Sequence, residues 1–159
     1  MKNDVAAHFI ERMGLLVEAE GMPRIAGRIF AFLILAEGPH SFAELAEELH
    51  ISKGSVSTNT RLLENLGLIE RLTQPGQRQD YFQLKHAPYS ELLRGIAQRT
   101  NTAIELIQQT RRDLPVAYSG SQPRLQELEQ FYQCFCRHIE SMFQELAELS
   151  VERIKEVKL

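Results

Sequence analysis

A mainly α-helical protein with one small β-hairpin is predicted by three observations. Apolar residues recur at helical spacing through long stretches at both ends of the chain. Strand-like runs flanking a Pro-Gly turn occur between Leu68 and Leu84. The segment from Ser41 to Leu84 reads helix, tight turn, helix, hairpin. That order is a winged helix-turn-helix with a small β-hairpin wing, here flanked by long N- and C-terminal helices suited to dimerisation.

Val5 to Glu20 reads as an amphipathic helix with Val5, Phe9, Met13 and Leu16 on one face, and Gly21 ends it. Pro23 fits the start of a second helix, whose stripe is Ile25, Ile29, Phe32, Leu33 and Ala36. Gly38-Pro39 breaks it. Ser41 and Glu44 then have the spacing of a capping box, and Phe42, Leu45, Ala46 and Leu49 form the stripe of a short third helix. His50-Ile51 makes the turn, and Ser52 caps the next helix with Ile51 placed as a hydrophobic staple.

The helix from Ser52 to Leu66 has an unusual front. Lys53, Gly54, Ser55, Ser57, Thr58, Asn59 and Thr60 are small or hydrogen-bonding, and none is acidic. Serines, β-branched residues and glycine are poor helix formers, so propensity does not explain them. Close approach to DNA does: small side chains permit it, hydroxyls and an amide reach phosphates or base edges, and free N-terminal amides favour phosphate. The groove-facing residues are expected to be Ser52, Lys53, Ser55, Thr58 and Asn59, with Arg61 on a phosphate. Val56, Thr60, Leu63 and Leu66 form the buried face, and Gly67 suits the position just past the helix end. Leu68–Thr73 and Tyr81–Leu84 read as the two strands, with Pro75-Gly76 in the turn and Arg78 at the tip as a probe of a minor groove or phosphate.

These residues carry a resemblance. Ser52-Lys53-Gly54-Ser55-Val56-Ser57, Arg61-Leu62-Leu63-Glu64 and Gly67-Leu68-Ile69 resemble the MarR superfamily of transcriptional regulators. Gly21-Met22-Pro23-Arg24-Ile25-Ala26-Gly27-Arg28-Ile29, Thr58-Asn59 and Gly76-Gln77-Arg78-Gln79-Asp80-Tyr81-Phe82 resemble its GbsR branch. The resemblance covers roughly Gly21 to Leu84. It implies a homodimeric DNA-binding regulator, usually a repressor, whose DNA affinity is changed by a small molecule; some relatives respond to choline-type osmoprotectants. Many MarR-type proteins have arginine where this chain has Thr58, so base contacts do not carry over.

Past the hairpin, Pro88 opens a long helix with Leu92, Leu93, Ile96, Ala103, Ile104, Ile107 and Leu114 at helical spacing. Pro115 to Pro123 reads as a loop. The last helix, about Pro123 to Val157, carries Leu125, Leu128, Tyr132, Phe135, Ile139, Met142, Leu146 and Leu149 at alternating steps of three and four. At ~1.5 Å per residue it spans on the order of 50 Å. Leu128, Tyr132, Phe135, Ile139, Met142 and Leu146 are therefore expected to form a dimer seam. The organisation that results is 1–21 as an N-terminal helix for dimerisation or support, 22–87 as the DNA-binding domain, and 88–159 as a helical dimerisation and effector region.

The net charge of −3 over 159 residues argues against a promiscuous nucleic-acid coat. It leaves room for a local basic face: Lys53 and Arg61 lie on the second helix of the pair, Arg71 and Arg78 on the hairpin. Glu44, Glu47, Glu48 and Glu64 must then point away from DNA. No apolar run reaches membrane-span length and the N-terminus does not begin a signal peptide, so a cytoplasmic location is expected. No phosphate loop, H-E-x-x-H, nucleophile elbow or triad is present, and no cofactor or metal motif.

Three other readings stand beside the DNA-binding one. A winged helix can dock on proteins and never touch DNA. Cys134, Cys136 and His138 suggest a metal or redox sensor: Cys134 and His138 share a face, whereas Cys134 and Cys136 point about 200° apart. Phe131, Tyr132, Phe135 and Phe143, with Tyr118 on the loop, are aromatic enough to cage a quaternary ammonium, although the seam position of Tyr132 and Phe135 favours packing.

Overall fold

A computed structural model describes residues 4–73, 76 and 79–156, with side chains described through residue 146. The chain divides into two compact units, Met1–Glu91 and Leu92–Leu159. Its elements in order are α1 (Asp4–Ala19), α2 (Arg24–Leu35), β1 (His40–Ser41), α3 (Phe42–Glu48), α4 (Lys53–Asn65), β2 (Ile69–Thr73), β3 (Asp80–Leu84), α5 (Pro88–Asp113), a 3-10 turn (Val116–Ser121) and α6 (Gln122–Glu156). The mainly helical winged-helix expectation holds.

In the first unit the strands form an antiparallel sheet in the order β1-β3-β2. β1, two residues long, was not legible in the sequence because so short a run carries no alternation. It pairs His40 with Phe82 and Ser41 with Tyr81, while β2 pairs Arg71 with Phe82 and Thr73 with Asp80. The core gathers Ile29, Leu45, Val56, Leu63, Ile69 and Phe82, all essentially solvent-free. Phe82 meets Phe42 edge-on at 5.4 Å.

α1 differs from its sequence reading. Val5 is 75 % exposed and Leu16 56 %, while Ile10 and Gly14 are buried. The reason is a glycine crossing. A Cβ added at Gly27 of α2 would lie 3.0 Å from the Gly14 Cα, 2.9 Å from the Met13 carbonyl oxygen and 2.8 Å from the Val17 Cβ. Two backbones approach this closely only where side chains are missing, so the glycines choose which side of α1 is buried, and the larger apolar residues do not. Glu11 fastens the same crossing, taking Arg24 at 2.8 Å and Arg28 at 2.7 Å. Arg28 also donates to the Leu49 carbonyl at 2.9 Å, tying α2 to the end of α3.

The second unit pairs α5 and α6 as an antiparallel hairpin with a regular register. Arg94 lies over the Phe143 ring at 5.9 Å, the Cys136 thiol donates to Asn101 Oδ1 at 3.4 Å, and Gln108 donates to Glu129 at 2.8 Å. Each step of seven along α5 is matched by seven back along α6. The inward residues are Leu93, Thr100 and Ile107 on α5 and Glu129, Cys136 and Ile139 on α6. Glu129 is tolerated there because Gln108, Gln133 and Arg111 all donate to it; the bond from Gln108 first, then that from Arg111, holds its carboxyl below the usual range.

The expected dimer seam is accordingly split. Ile139 is 4 % exposed and is packed inside its own chain. Leu128, Phe135 and Met142 face outward, joined by Phe131, and Tyr132 and Leu146 are half-buried. The side chain of Leu149 lies outside the described residues. The heptad rule finds apolar spacing but does not see that a satisfied glutamate occupies the buried face.

Substituting Gly27→Ala adds a methyl group against a backbone oxygen that cannot retreat. Despite alanine's better helix propensity, it should destabilise the first unit by about 1–3 kcal/mol, read as a lower urea midpoint; an unchanged midpoint would show that the crossing can open freely.

Candidate nucleic-acid interface

The pair α3–α4 is set by local chemistry at every junction. At the start of α3 the Ser41 amide donates to Glu44 Oε2 at 2.7 Å and the Glu44 amide to Ser41 Oγ at 3.3 Å, a complete capping box. Hydrogen bonding to the carboxylate from Ser41, first from its backbone amide and then from its side chain, holds the Glu44 carboxyl below its usual range. At the other end His50 adopts φ +52°. Its amide reaches the Glu47 carbonyl at 3.2 Å and that of Ile51 reaches Ala46 at 3.0 Å, so α3 ends in a Schellman turn closed by a histidine. α4 starts on Ser52, whose hydroxyl accepts from the Ser55 amide at 3.1 Å. It ends in a second Schellman turn on Gly67, φ +76°, where Gly67 bonds to Glu64 and Leu68 to Leu63.

α4 presents two contrasting faces. Val56, Thr60 and Leu63 are buried, and the Thr60 hydroxyl is satisfied by the Val56 carbonyl at 2.9 Å. Ser52, Lys53, Gly54, Thr58 and Arg61 are exposed, and Ser55 and Ser57 are half-buried. Of the expected groove-facing residues, Ser52 and Lys53 are therefore exposed at the N-terminal end of α4, Thr58 and Arg61 are exposed on the side away from Val56, and Ser55 is half-buried.

Asn59 does not join them, and its expected groove-facing role is corrected. It is 6 % exposed; its Nδ2 donates to the Ser55 carbonyl at 2.8 Å, and its Oδ1 is buried without a partner. The physical reason is angular: Asn59 lies four residues before Leu63, about 40° away on the helix, and so belongs to the edge of the packed face.

The wing contributes a residue whose role the sequence left open. Arg71 forks onto Glu64 of α4 (Nε to Oε1 3.3 Å, Nη2 to Oε2 3.0 Å) and donates from Nη1 to Asp80 of β3 at 3.2 Å. Its guanidinium also lies 5.5 Å from the centre of the Phe82 ring. The Glu64 bond is the main cause of the raised pKa of Arg71. Glu64, an acid expected to point away from DNA, is therefore engaged by Arg71. Arg78, the expected wing-tip contact, lies outside the described residues.

Elsewhere, Cys134 is exposed and Cys136 buried. The Cys134 sulfur is 3.8 Å from His138 Nδ1, which also lies 2.8 Å from the Cys134 carbonyl. Among the described residues no group of three metal-capable side chains occurs. The aromatic residues of α6 do not converge on one cage: Phe131 stacks on Phe135 at 6.3 Å, whereas Phe143 is covered by Arg94. No described helix is long and apolar enough to cross a membrane.

A sequence model of the MarR family matches residues 20–80, which span α2 to the start of β3. That part of the winged helix is similar to the MarR family. Over 78 residues the chain is 41 % identical to the HTH-type transcriptional regulator MmpR5 of Mycobacterium tuberculosis, covering 48 % of this chain and 47 % of that protein. Over 86 residues it is 24 % identical to the HTH-type transcriptional repressor OpcR of Bacillus subtilis, covering 54 % of this chain and 46 % of OpcR. The chain spans about half the length of these curated relatives. A crystal structure of a transcriptional regulator matches 90 % of this chain and 98 % of its own, with a TM-score of 0.78 at 27 % identity. The matched segment, residues 20–80, contains the whole α3–α4 pair with its capping box and both Schellman turns.

The two turns predict opposite mutational signs. His50→Gly relieves a left-handed backbone and should stabilise by about 0.5–1 kcal/mol. Gly67→Ala imposes that strain and sets a Cβ 2.9 Å from the Glu91 Cβ, so it should lower the urea midpoint; equal effects of one sign would refute this account of the turns. Because the Glu44 pKa is lowered on folding, its charge stabilises fully above its unfolded value near 4.5 and the contribution is lost as pH falls through the folded value. Glu44→Gln, which can still close the box, should flatten that part of the acid limb in pH-dependent unfolding.

Proposed function

We propose that this protein is a sequence-specific, double-stranded-DNA-binding transcriptional regulator that acts as a homodimer on an inverted-repeat operator. The observation that carries the reading is the exposed set on α4, Ser52 and Lys53 at its N-terminal end and Thr58 and Arg61 on the side away from buried Val56, with no acid among them. Each α4 enters a major groove, with half-sites about one helical turn apart. Lys53 and Arg61 hold phosphates, while Ser52, Ser55 and Thr58 meet phosphate or base edges. Arg78 extends the footprint into the flanking groove. The family kinship of residues 20–80 supports the same reading.

The dimer forms through α1 and the outward stripe of α6, Leu128, Phe131, Phe135 and Met142, with Tyr132 and Leu146 at its edge. Ile139 supports it from inside the chain. The protein acts in the cytoplasm as a repressor of the GbsR-like branch. A small molecule that prefers one dimer geometry changes DNA affinity by changing the spacing of the two α4 helices.

The test is selection from a random duplex library with the purified full chain. An enriched inverted repeat is expected. Absence of enrichment at low salt by a folded dimer would overturn the reading in favour of a protein-docking winged helix. On the enriched duplex, Lys53→Ala and Arg61→Ala should each reduce the salt slope of binding by about one. Thr58→Ala should shift sequence preference with the slope unchanged.

A further inference from the structure

We propose that Arg71 is a positioning residue: it locks the wing in fixed register with the recognition helix α4 and does not itself contact DNA. The inference rests on the DNA-binding reading above. It goes beyond that reading by assigning a task to a cation that electrostatics alone would place on a phosphate.

Four contacts carry it. Two bonds in a fork reach Glu64, on the last turn of α4. A third reaches Asp80, at the start of the returning strand. The fourth is the face of Phe82, which is solvent-free and stands directly opposite Arg71 in the β2–β3 ladder. One planar group therefore touches the helix that would read the groove, the strand that carries the wing, and the ring that anchors the sheet.

The chemistry suits arginine and not lysine. A guanidinium offers fixed, coplanar donors that fit a carboxylate in two-pronged fashion and can stack on an aromatic ring; an ammonium can do neither. Two carboxylates surround one cation, so the cluster offers no net positive charge to a phosphate. Partly exposed ion pairs contribute little to stability, so what this cluster supplies is geometry. A hairpin joined to its domain only through its strands can pivot on them. A bracket from β2 to α4 removes that pivot and fixes the distance between the two DNA-contacting elements before DNA arrives.

The test compares Arg71→Lys, Arg71→Ala and Glu64→Gln in the full chain. The probes are the duplex enriched by the wild-type protein and a random-sequence duplex of equal length. All three variants should lose about tenfold in the ratio of specific to random binding, with the salt slope unchanged. Amide exchange in β2 and β3 should quicken, while α2 stays protected. Glu64→Gln is the sharpest arm: removing a negative charge near DNA should tighten binding if only charge matters, and loosen specific binding if the bracket matters.

Wild-type behaviour of Arg71→Lys together with a slope lowered by about one in Arg71→Ala would overturn the proposal and make Arg71 a phosphate contact. Unchanged exchange in the two strands would overturn the bracket whatever the DNA result. Failure of the wild-type protein to enrich any duplex would instead overturn the DNA-binding reading, so the two failures are separable.

Discussion

Everything in the first unit turns on one constraint: α4 must be held by one face so firmly that its other face can be left unpacked. A helix with Gly54, Ser55, Ser57 and Thr58 in its first half is a weak helix by intrinsic preference, each such residue being up to about 1 kcal/mol worse than alanine. Burial of Val56 and Leu63, each contributing roughly 1.5–3 kcal/mol, offsets that weakness from the opposite side. The ends are fixed independently, by the Ser52 cap and the Gly67 turn. The open face is then free to be chosen for a partner and not for the fold.

The same division explains the polar groups that sit where apolar ones would be expected. Thr60 is buried because its hydroxyl bonds to the preceding turn of its own helix, so it brings no unmet polar demand to the core. Asn59 is half satisfied in the same way, through Nδ2 alone. Arg28 performs an analogous task between elements, taking a carbonyl at the end of α3 and a carboxylate of α1. In each case a polar side chain fixes a geometry that apolar packing, being non-directional, would leave loose.

Features that depend on a few neighbouring residues were legible in the sequence. The Ser41–Glu44 box, the Ser52 cap and the Gly67 turn follow from chemistry within four residues. Features that depend on a distant partner were not. Gly14 and Gly27 look unremarkable until two helices cross at them, and Glu64 looks like an obstacle to DNA until Arg71 reaches it from the wing. Asn59 is a different kind of error: its amide suggested a base reader, but its angle relative to Leu63 already placed it with the core. Of the expected groove-facing set, Thr58 and Arg61 were readable as exposed because they lie about 140–160° from Val56 around the helix, whereas Ser52 and Lys53 are exposed because they sit at its N-terminal end.

α6 shows why a correct periodicity can still misplace an interface. At ~100° per residue, the inward group of Glu129, Cys136 and Ile139 and the outward group of Leu128, Phe131, Phe135 and Met142 are centred about a quarter turn apart. The three-four seam from Leu125 to Leu146 runs along the boundary between them and borrows from both. A coiled-coil stripe needs only a narrow seam, whereas a helix packed on one side and apolar on the adjoining side carries a band about twice as wide. The width of the band, more than its period, argues that α6 serves two interfaces. One is the hairpin with α5, in register through Arg94, Asn101 and Gln108. The other is the outward aromatic stripe, whose proposed cover is a second copy of the chain. A charge introduced at Phe131 therefore tests association while sparing the fold, whereas a charge at Ile139 would break the hairpin first.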